Sequence, residues 1–382
     1  MLLQISTICA LTLALLSTNA FASEDKFPTR EQEDERFSVQ LGYFNQSDGD
    51  DNLGGNPHID EEETVFEALI ILDKKLSETD IVRYQFLGDL VTSASVEREN
   101  NEQFQILQSH PSGNKRGELS ANWSRVNPNY TFGFNSSFSA EYSSFFSIGL
   151  GANISRPIAN DNARIRFAYQ GYFDTFEHKQ FNGVDGDYVD RFTHTYDVGI
   201  TQTLTPKSLI DLSLNYTHQT GVLGTTWYSV FVNGQEQSEQ LPSSRNRSAY
   251  TLRYKYALSP LSAIELDYRA YDDSWGLDSN TWEVQYQHYL RNKTVLLTPR
   301  VRYYDQNPAR YFATDFNSTR PFMSSDPDLG DFTGRSYGIK GSFFDLYWPK
   351  DRKAEFSVSF DQYKRSDGID LYWTTFGYTT RF

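Results

Sequence analysis

The sequence predicts an all-β chain folded as a single transmembrane antiparallel β-barrel of about 16 strands, with both termini periplasmic. Three observations carry this. Apolar and polar residues alternate with period two through most of residues 36–382. Aromatics make up 15% of the 382 residues, in a chain with 28 Phe and 25 Tyr and a mean hydropathy of −0.59. The connections between alternating segments fall into a short set and a mostly long set. Helical membrane proteins differ on the first two points, because each span needs about 20 consecutive apolar residues. No such run follows residue 20. A soluble β-sandwich shares the aromatic content but has no reason to sort its loops by length onto opposite rims.

The N-terminus reads "MLLQISTICALTLALLSTNAFASEDK". An apolar core from Ile5 to Leu16 precedes Ala20-Phe21-Ala22, a small-x-small cleavage site, so residues 1–22 are expected to be a signal peptide. Residues 23–35 then form a short periplasmic segment, and 36–382 the barrel. The single cysteine, Cys9, falls within the signal peptide. The exported chain therefore has no disulfide, thiol chemistry or Cys-ligated metal. The net charge of −15 excludes a nucleic-acid partner, which needs a basic footprint.

Strands are expected near 36–46, 62–73, 78–92, 117–126, 129–142, 144–155, 162–174 and 191–204, then 208–219, 247–258, 262–273, 280–290, 294–305, 335–347, 352–364 and 369–382. Most exceed the mean globular strand of about 5–6 residues and suffice for a tilted bilayer crossing of about 9–11. "YTFGFNSSFSAEY" shows the pattern well: Phe132, Phe134, Phe138 and Ala140 share one face, Gly133, Asn135, Ser137 and Ser139 the other. Short connections fall at 127–129, 204–208, 258–262, 291–293 and 348–351. Long ones fall at 47–61, 93–116, 175–190, 220–246 and 306–334. An even strand count returns both ends to the short-turn rim.

The chain closes on "YWTTFGYTTRF", with Tyr372, Thr374, Phe376, Tyr378, Thr380 and Phe382 on one face. Gly377 and the terminal Phe382 resemble the C-terminal signal that the barrel-assembly machinery reads on bacterial outer-membrane proteins. Thr380 occupies a place where that signal usually has an apolar residue. This last strand is expected to pair with the first near Phe37 and remove the open edges of the sheet.

With the apolar row facing lipid, the other row lines the lumen. It holds about ten basic residues and about as many acidic ones, Asp89, Glu118 and Glu141 among them. The candidate pore-lining residues are Arg164, Arg166, Arg253, Lys255, Arg300 and Arg302, with Glu265 and Asp267 as acidic neighbours. Two readings stay open. One is a web of ion pairs that braces the interior. The other is a charge-lined channel, which would bind anions if the basic pairs gather on one wall.

The long loops are acidic. Asp185, Asp187 and Asp190 have a calcium-like spacing, but the twelve-residue loop with its terminal Glu is missing. The expectation is solvated acidic loops, with weak divalent bridging to lipopolysaccharide as the alternative. No metal site or cofactor is expected. The six histidines form no metal-spaced pair, and His218 and His288 fall on the lipid row near strand ends. No catalytic residue is expected, although a Ser/His lipid-enzyme site assembled across strands would leave no linear trace.

Three stretches carry a resemblance: "TYDVGITQTLTPKSLIDLSLNYTHQTGVL" (195–223), "IELDYRAYDDSWGLDSNTWEVQYQHYL" (264–290) and "LLTPRVRYYDQNPARYF" (296–312). The chain resembles a family of bacterial proteins of unknown function, domain-of-unknown-function family 3570, mainly over residues 190–382. That resemblance implies an outer-membrane barrel with no established activity, near envelope redox systems. It also implies a Ser-Gly-Ala-Ser-Pro-like motif near the second long loop, where this chain reads "TSASVEREN". The functional expectation is an outer-membrane, porin-like conduit for ions or small polar solutes. The alternative is a closed barrel serving as scaffold or port for an envelope partner, possibly a redox protein. The third long loop, near Ser143, is almost absent, so closing the lumen would fall to 220–246 and 306–334.

Overall fold

The computed structural model describes residues 35–47, 63–93, 114–141, 145–178, 181, 184, 186–224, 228–347 and 353–382. The expected signal peptide, and all of the 23–35 segment except Glu35, lie outside them. The strands are β1 (Arg36–Gln46), β2 (Glu63–Lys75), β3 (Asp80–Ser93), β4 (Asn114–Asn127), β5 (Tyr130–Glu141), β6 (Phe145–Ile158), β7 (Ala163–Glu177) and β8 (Tyr188–Thr205). The second half has β9 (Ser208–Gly221), β10 (Ser229–Val232), β11 (Gln235–Ser238), β12 (Ser244–Ser259), β13 (Ser262–Asp273), β14 (Asp278–Leu290), β15 (Val295–Asn307) and β16 (Asp315–Phe316). It ends with β17 (Phe332–Tyr347), β18 (Lys353–Arg365) and β19 (Asp370–Arg381).

Sixteen of these close into one antiparallel barrel in chain order, skipping β10, β11 and β16. Every expected strand is present, with ends moved by a few residues. In a bilayer each backbone N–H and C=O must find a partner within the protein, and closure supplies this without leaving an edge. The seam pairs β1 with β19: Phe37 faces Thr380, Leu41 faces Phe376 and Tyr43 faces Thr374. Beyond the seam, the Phe382 N–H donates to the Glu35 carbonyl at 3.0 Å. Both strands end on the rim of tight turns, alongside 128–129, 206–207 and 260–261.

Period-two alternation fixes which face each residue takes. Leu119, Phe138, Ile148, Phe173 and Phe192 stand opposite one another on β4 to β8, and each is between 39% and 61% exposed. Continued around the ring by residues such as Leu252, Leu266, Val284, Val301, Ile339 and Val358, they form an apolar belt facing outward. A belt of this extent far exceeds what a soluble monomer exposes; lipid is the solvent that suits it. Near the tight-turn rim Trp123 stacks on Phe134 and meets Phe132 edge-on, a segment of aromatic girdle. The interior is polar, so this fold has no single apolar core.

β10, β11 and β16 form a separate three-stranded sheet in the long connections 222–243 and 308–331. Its hairpin turns at Asn233-Gly234, both with positive φ (51° and 76°), the backbone that an Asn-Gly turn adopts most readily.

Candidate lumenal site

The register puts all eight pore-lining candidates on the lumenal row, because their strand neighbours Ile165, Leu252, Leu266 and Val301 face outward. The three basic pairs do not gather on one wall. They sit on β7, β12 and β15, with acidic strands between. Arg166 on β7 bonds Asp211 on β9 at 3.0 Å and lies 3.6 Å from Asp197 on β8. On β12, Arg253 meets Asp267 at 2.7 Å and Glu265 at 3.2 Å, while Lys255 reaches Glu265 at 3.1 Å. Arg300 on β15 meets Asp361 on β18 at 2.6 Å. Arg164 donates to Ser155 at 3.0 Å. Four of the six candidate bases therefore belong to a belt of ion pairs running from β7 to β18.

Two of these pairs skip a strand, and each does so over a glycine. Arg166 faces Gly199 on β8 and passes over it to Asp211. Arg300 faces Gly338 on β17, and Gly338 faces Asp361. A Cβ at Gly199 would stand 2.6 Å from the Arg166 Nε, and one at Gly338 2.8 Å from the Arg300 Nε. These glycines leave the room through which the guanidinium crosses.

Toward the long-loop ends of the strands the charges segregate. Glu67 on β2, Asp89 on β3, Glu118 on β4 and Glu141 on β5 surround one base, Arg116, whose Nε lies 3.2 Å from Asp89. Sequence reasoning found Asp89, Glu118 and Glu141 but missed Glu67 and Arg116. The β2 stretch "VFEALIIL" is apolar on both faces, which hides its parity. The facing wall, β12 to β15, carries Arg247, Arg269 and Arg302. Four strands separate the two walls on either side, β6 to β9 one way and β17, β18, β19 and β1 the other.

The connections that carry the loop sheet pack on this second wall through residues 309–330. Val230, Val232, Phe316 and Met323 form the core of the sheet, and Gln240 and Met323 exchange backbone bonds at 3.0 and 2.8 Å. A second cluster of Trp275, Leu277, Ala309 and Leu329 packs against the lumenal Tyr271. The lumenal Gln306 donates to the carbonyls of Gly330 (2.7 Å) and Asp328 (2.9 Å), and Arg365 bonds Asp328 at 2.6 Å. Residues 326–330 thus rest on the inner face of β15 and β18, at the mouth. Burial in this loop pushes the Asp326 carboxyl up to about 6, and the adjacent Asp328 adds to the shift. The Asn-Gly pair was the sequence signal for this element; the length of the connection concealed it.

Among the described residues no group of three His, Cys, Asp or Glu could hold a metal. Asp190 accepts from Thr175 at 2.7 Å, Asp187 is described, and Asp185 lies outside the described residues. Most of "TSASVEREN" also lies outside them. His218 faces outward and bonds Asn246 at 2.6 Å, and His288 stacks on Tyr286. Gly377 lies on the lumenal row against Ser357, while the Phe382 side chain is 48% exposed. The Thr380 hydroxyl donates to the Lys353 carbonyl at 3.1 Å, which accommodates a polar group on the outward row.

A family model described as "Protein of unknown function (DUF3570)" matches residues 5–379. No curated protein matches the sequence. Among solved structures, a bacterial polysaccharide outer membrane secretin superposes with a TM-score of 0.50 at 10% identity, over 91% of this chain and 98% of its own. The siderophore receptor PirA from Pseudomonas aeruginosa gives 0.44 at 12% identity, over 89% of this chain and 57% of that one. This chain therefore spans little more than half of the receptor's length. A FadL homologue from Pseudomonas aeruginosa gives 0.42 at 10% identity, over 92% and 90% of the two chains. At 10% identity, what the secretin shares with this chain is the barrel fold.

Proposed function

Since the chain belongs to the family described as protein of unknown function (DUF3570), we propose on the geometry of its lumen that it is a porin-like conduit in the bacterial outer membrane. It would carry ions or small polar solutes, with its tight-turn rim and both termini on the periplasmic side. One observation carries the reading: lumenal side chains remain open to water inside a ring of sixteen strands. Tyr172, which points inward from β7, is 38% exposed, and Arg269 is exposed on β13. Rings of about 16 strands leave an aqueous channel where rings of about 8 fill with side chains. Charged inner rows against apolar outer rows suit a path for polar solutes. Planar-bilayer recording of refolded protein tests this. Discrete conductance steps are expected, and silence at all voltages and salt concentrations would refute the conduit.

The loop residues 326–330 seated at the mouth favour a second reading, a closed port for an envelope partner such as a redox protein. Crosslinking in intact outer membranes, followed by identification of one reproducible periplasmic or surface partner, tests it. Conductance without any such partner would remove it.

A further inference from the structure

We propose that the wall formed by Arg247, Arg269 and Arg302 is a binding track for doubly charged oxyanions of the phosphate type. The inference deepens the conduit reading by naming a solute class, and as a statement about transport it rests on that reading.

The first argument is charge without a partner. Arg247 on β12, Arg269 on β13 and Arg302 on β15 all point inward, and none forms an ion pair with a described carboxylate. The carboxylates around them are engaged elsewhere. Asp273 holds Arg245 and accepts from the Tyr271 hydroxyl at 2.9 Å. Asp267 holds Arg253, and Asp328 and Asp367 hold Arg365. Glu283 faces Arg302 in register, but its Oε1 accepts from Gln285 at 2.6 Å. Elsewhere in the lumen Arg166, Arg253 and Arg300 are all paired with carboxylates, and Arg164 donates to the Ser155 hydroxyl.

The second argument is unused hydrogen bonding. The Nε groups of Arg247 and Arg302 are buried and donate to nothing. A buried donor left unmade is costly, and a guanidinium more so than a neutral group. Arg269 and Arg302 are close enough to repel each other, and Arg269 stands over the Tyr271 ring at 5.9 Å. An oxyanion between Arg269 and Arg302 would satisfy the idle Arg302 donor and remove the repulsion together, and Arg247 would extend the track toward the rim. Planar guanidinium forks match its oxygens well. The side chain of Tyr363 lies beside Arg302 and could add a hydroxyl donor.

The third argument is the opposite wall. Glu67, Asp89, Glu118 and Glu141 face this track across the lumen, on strands four removed in either direction. Both clusters lie within five residues of the long-loop ends of their strands. The resulting field drives an anion toward the arginines, and the loop residues 326–330 seated at the mouth limit its escape. Three cations outside any ion pair suit a dianion better than chloride.

Isothermal titration of the detergent-refolded full chain with inorganic phosphate at about pH 7.5 tests the track. Saturable binding is expected. It should weaken about tenfold or more in the Arg269→Gln/Arg302→Gln double variant, each such bond being charge-assisted. Lys207→Gln, at an exposed tight turn, should bind as wild type. Each protein is first shown to be folded by its mobility shift between unboiled and boiled samples. No saturable binding by folded wild-type protein would overturn the proposal, as would unchanged binding by the folded double variant. The wild-type titration decides alone if the double variant does not fold. A parallel titration with a sugar phosphate identifies the source. Tighter binding than inorganic phosphate indicates the phosphoryl group of a larger solute; weaker binding indicates the free ion. In bilayers, phosphate should reduce chloride current. A silent barrel that binds phosphate refutes the conduit and leaves the track standing. A conducting barrel without phosphate binding refutes the track and leaves the conduit.

Discussion

Arg300 meets Asp361 across an intervening strand because Gly338 between them has no side chain. Asp361 is fully enclosed, at 0% relative exposure. Gly338→Val would part the pair and leave Asp361 without its cation. Breaking a buried pair in this way costs about 3–5 kcal/mol, so a clearly lower unfolding temperature of the refolded barrel is expected; an unchanged one would show that the pair does not brace the wall. Asp326 supplies a second test. Burial raises its carboxyl from 3.8 to about 6, so the seated loop disfavours the charged form. Below the ordinary value the group is protonated whether the loop is seated or open, and no penalty arises. The penalty grows as pH rises from the ordinary value to the raised one and is complete above it. Amide exchange in 323–330 should therefore be faster, relative to Asp326→Asn, at about pH 7.5 than at about pH 4. An equal ratio at both would remove the loop's pH sensitivity. Neither residue could be singled out from sequence. Gly338 has meaning only once its register is known, and Asp326 only once its loop is seen folded.

At the scale of elements, alternation made the barrel strands legible. Each crosses the bilayer with one face on lipid and the other toward the lumen, so the period survives in the sequence. β2 is the instructive exception, since Leu69 and Ile71 point inward beside Glu67 and erase the contrast between faces. The outward belt predicts a strong asymmetry between neighbouring positions. Ile148→Arg should cost about 2–4 kcal/mol near the bilayer centre and reduce the fraction of protein showing the unboiled mobility. Gly149→Ser, one residue along and lumenal, crowds Tyr172 and Ser137 locally and should spare that fraction. Equal losses would contradict the assignment of faces. The loop sheet was not legible in the same way. β10, β11 and β16 are two to four residues long, and β16 joins β10 across more than eighty residues of chain. Only the Asn-Gly turn marked it locally.

The whole molecule divides its lumen into a paired belt and two opposed walls of unequal charge. A web of ion pairs was one of the two readings that the sequence left open, because long side chains of both signs share the inner row. The opposition of the walls was not, because it depends on which strands lie across the ring. Composition gives totals, and closure alone sets which totals face each other. The connection 308–331 adds a further inequality, since it is held by Gln306 on the arginine wall and by Arg365 on β18.

The seam has one more consequence. Every barrel strand pairs with its neighbours in the chain, and the last pairs with the first, with Phe382 bonded to Glu35. The order of strands is thus a circle, and nothing in the pairing marks a beginning. A chain opened within 178–187, with residue 382 joined to residue 35 through a short linker, should refold in detergent to a barrel with the same heat-dependent mobility. Failure to do so would mean that pairing depends on where the chain starts. The natural chain and the permutant would then share one set of strand pairings and differ only in the order in which the strands are made.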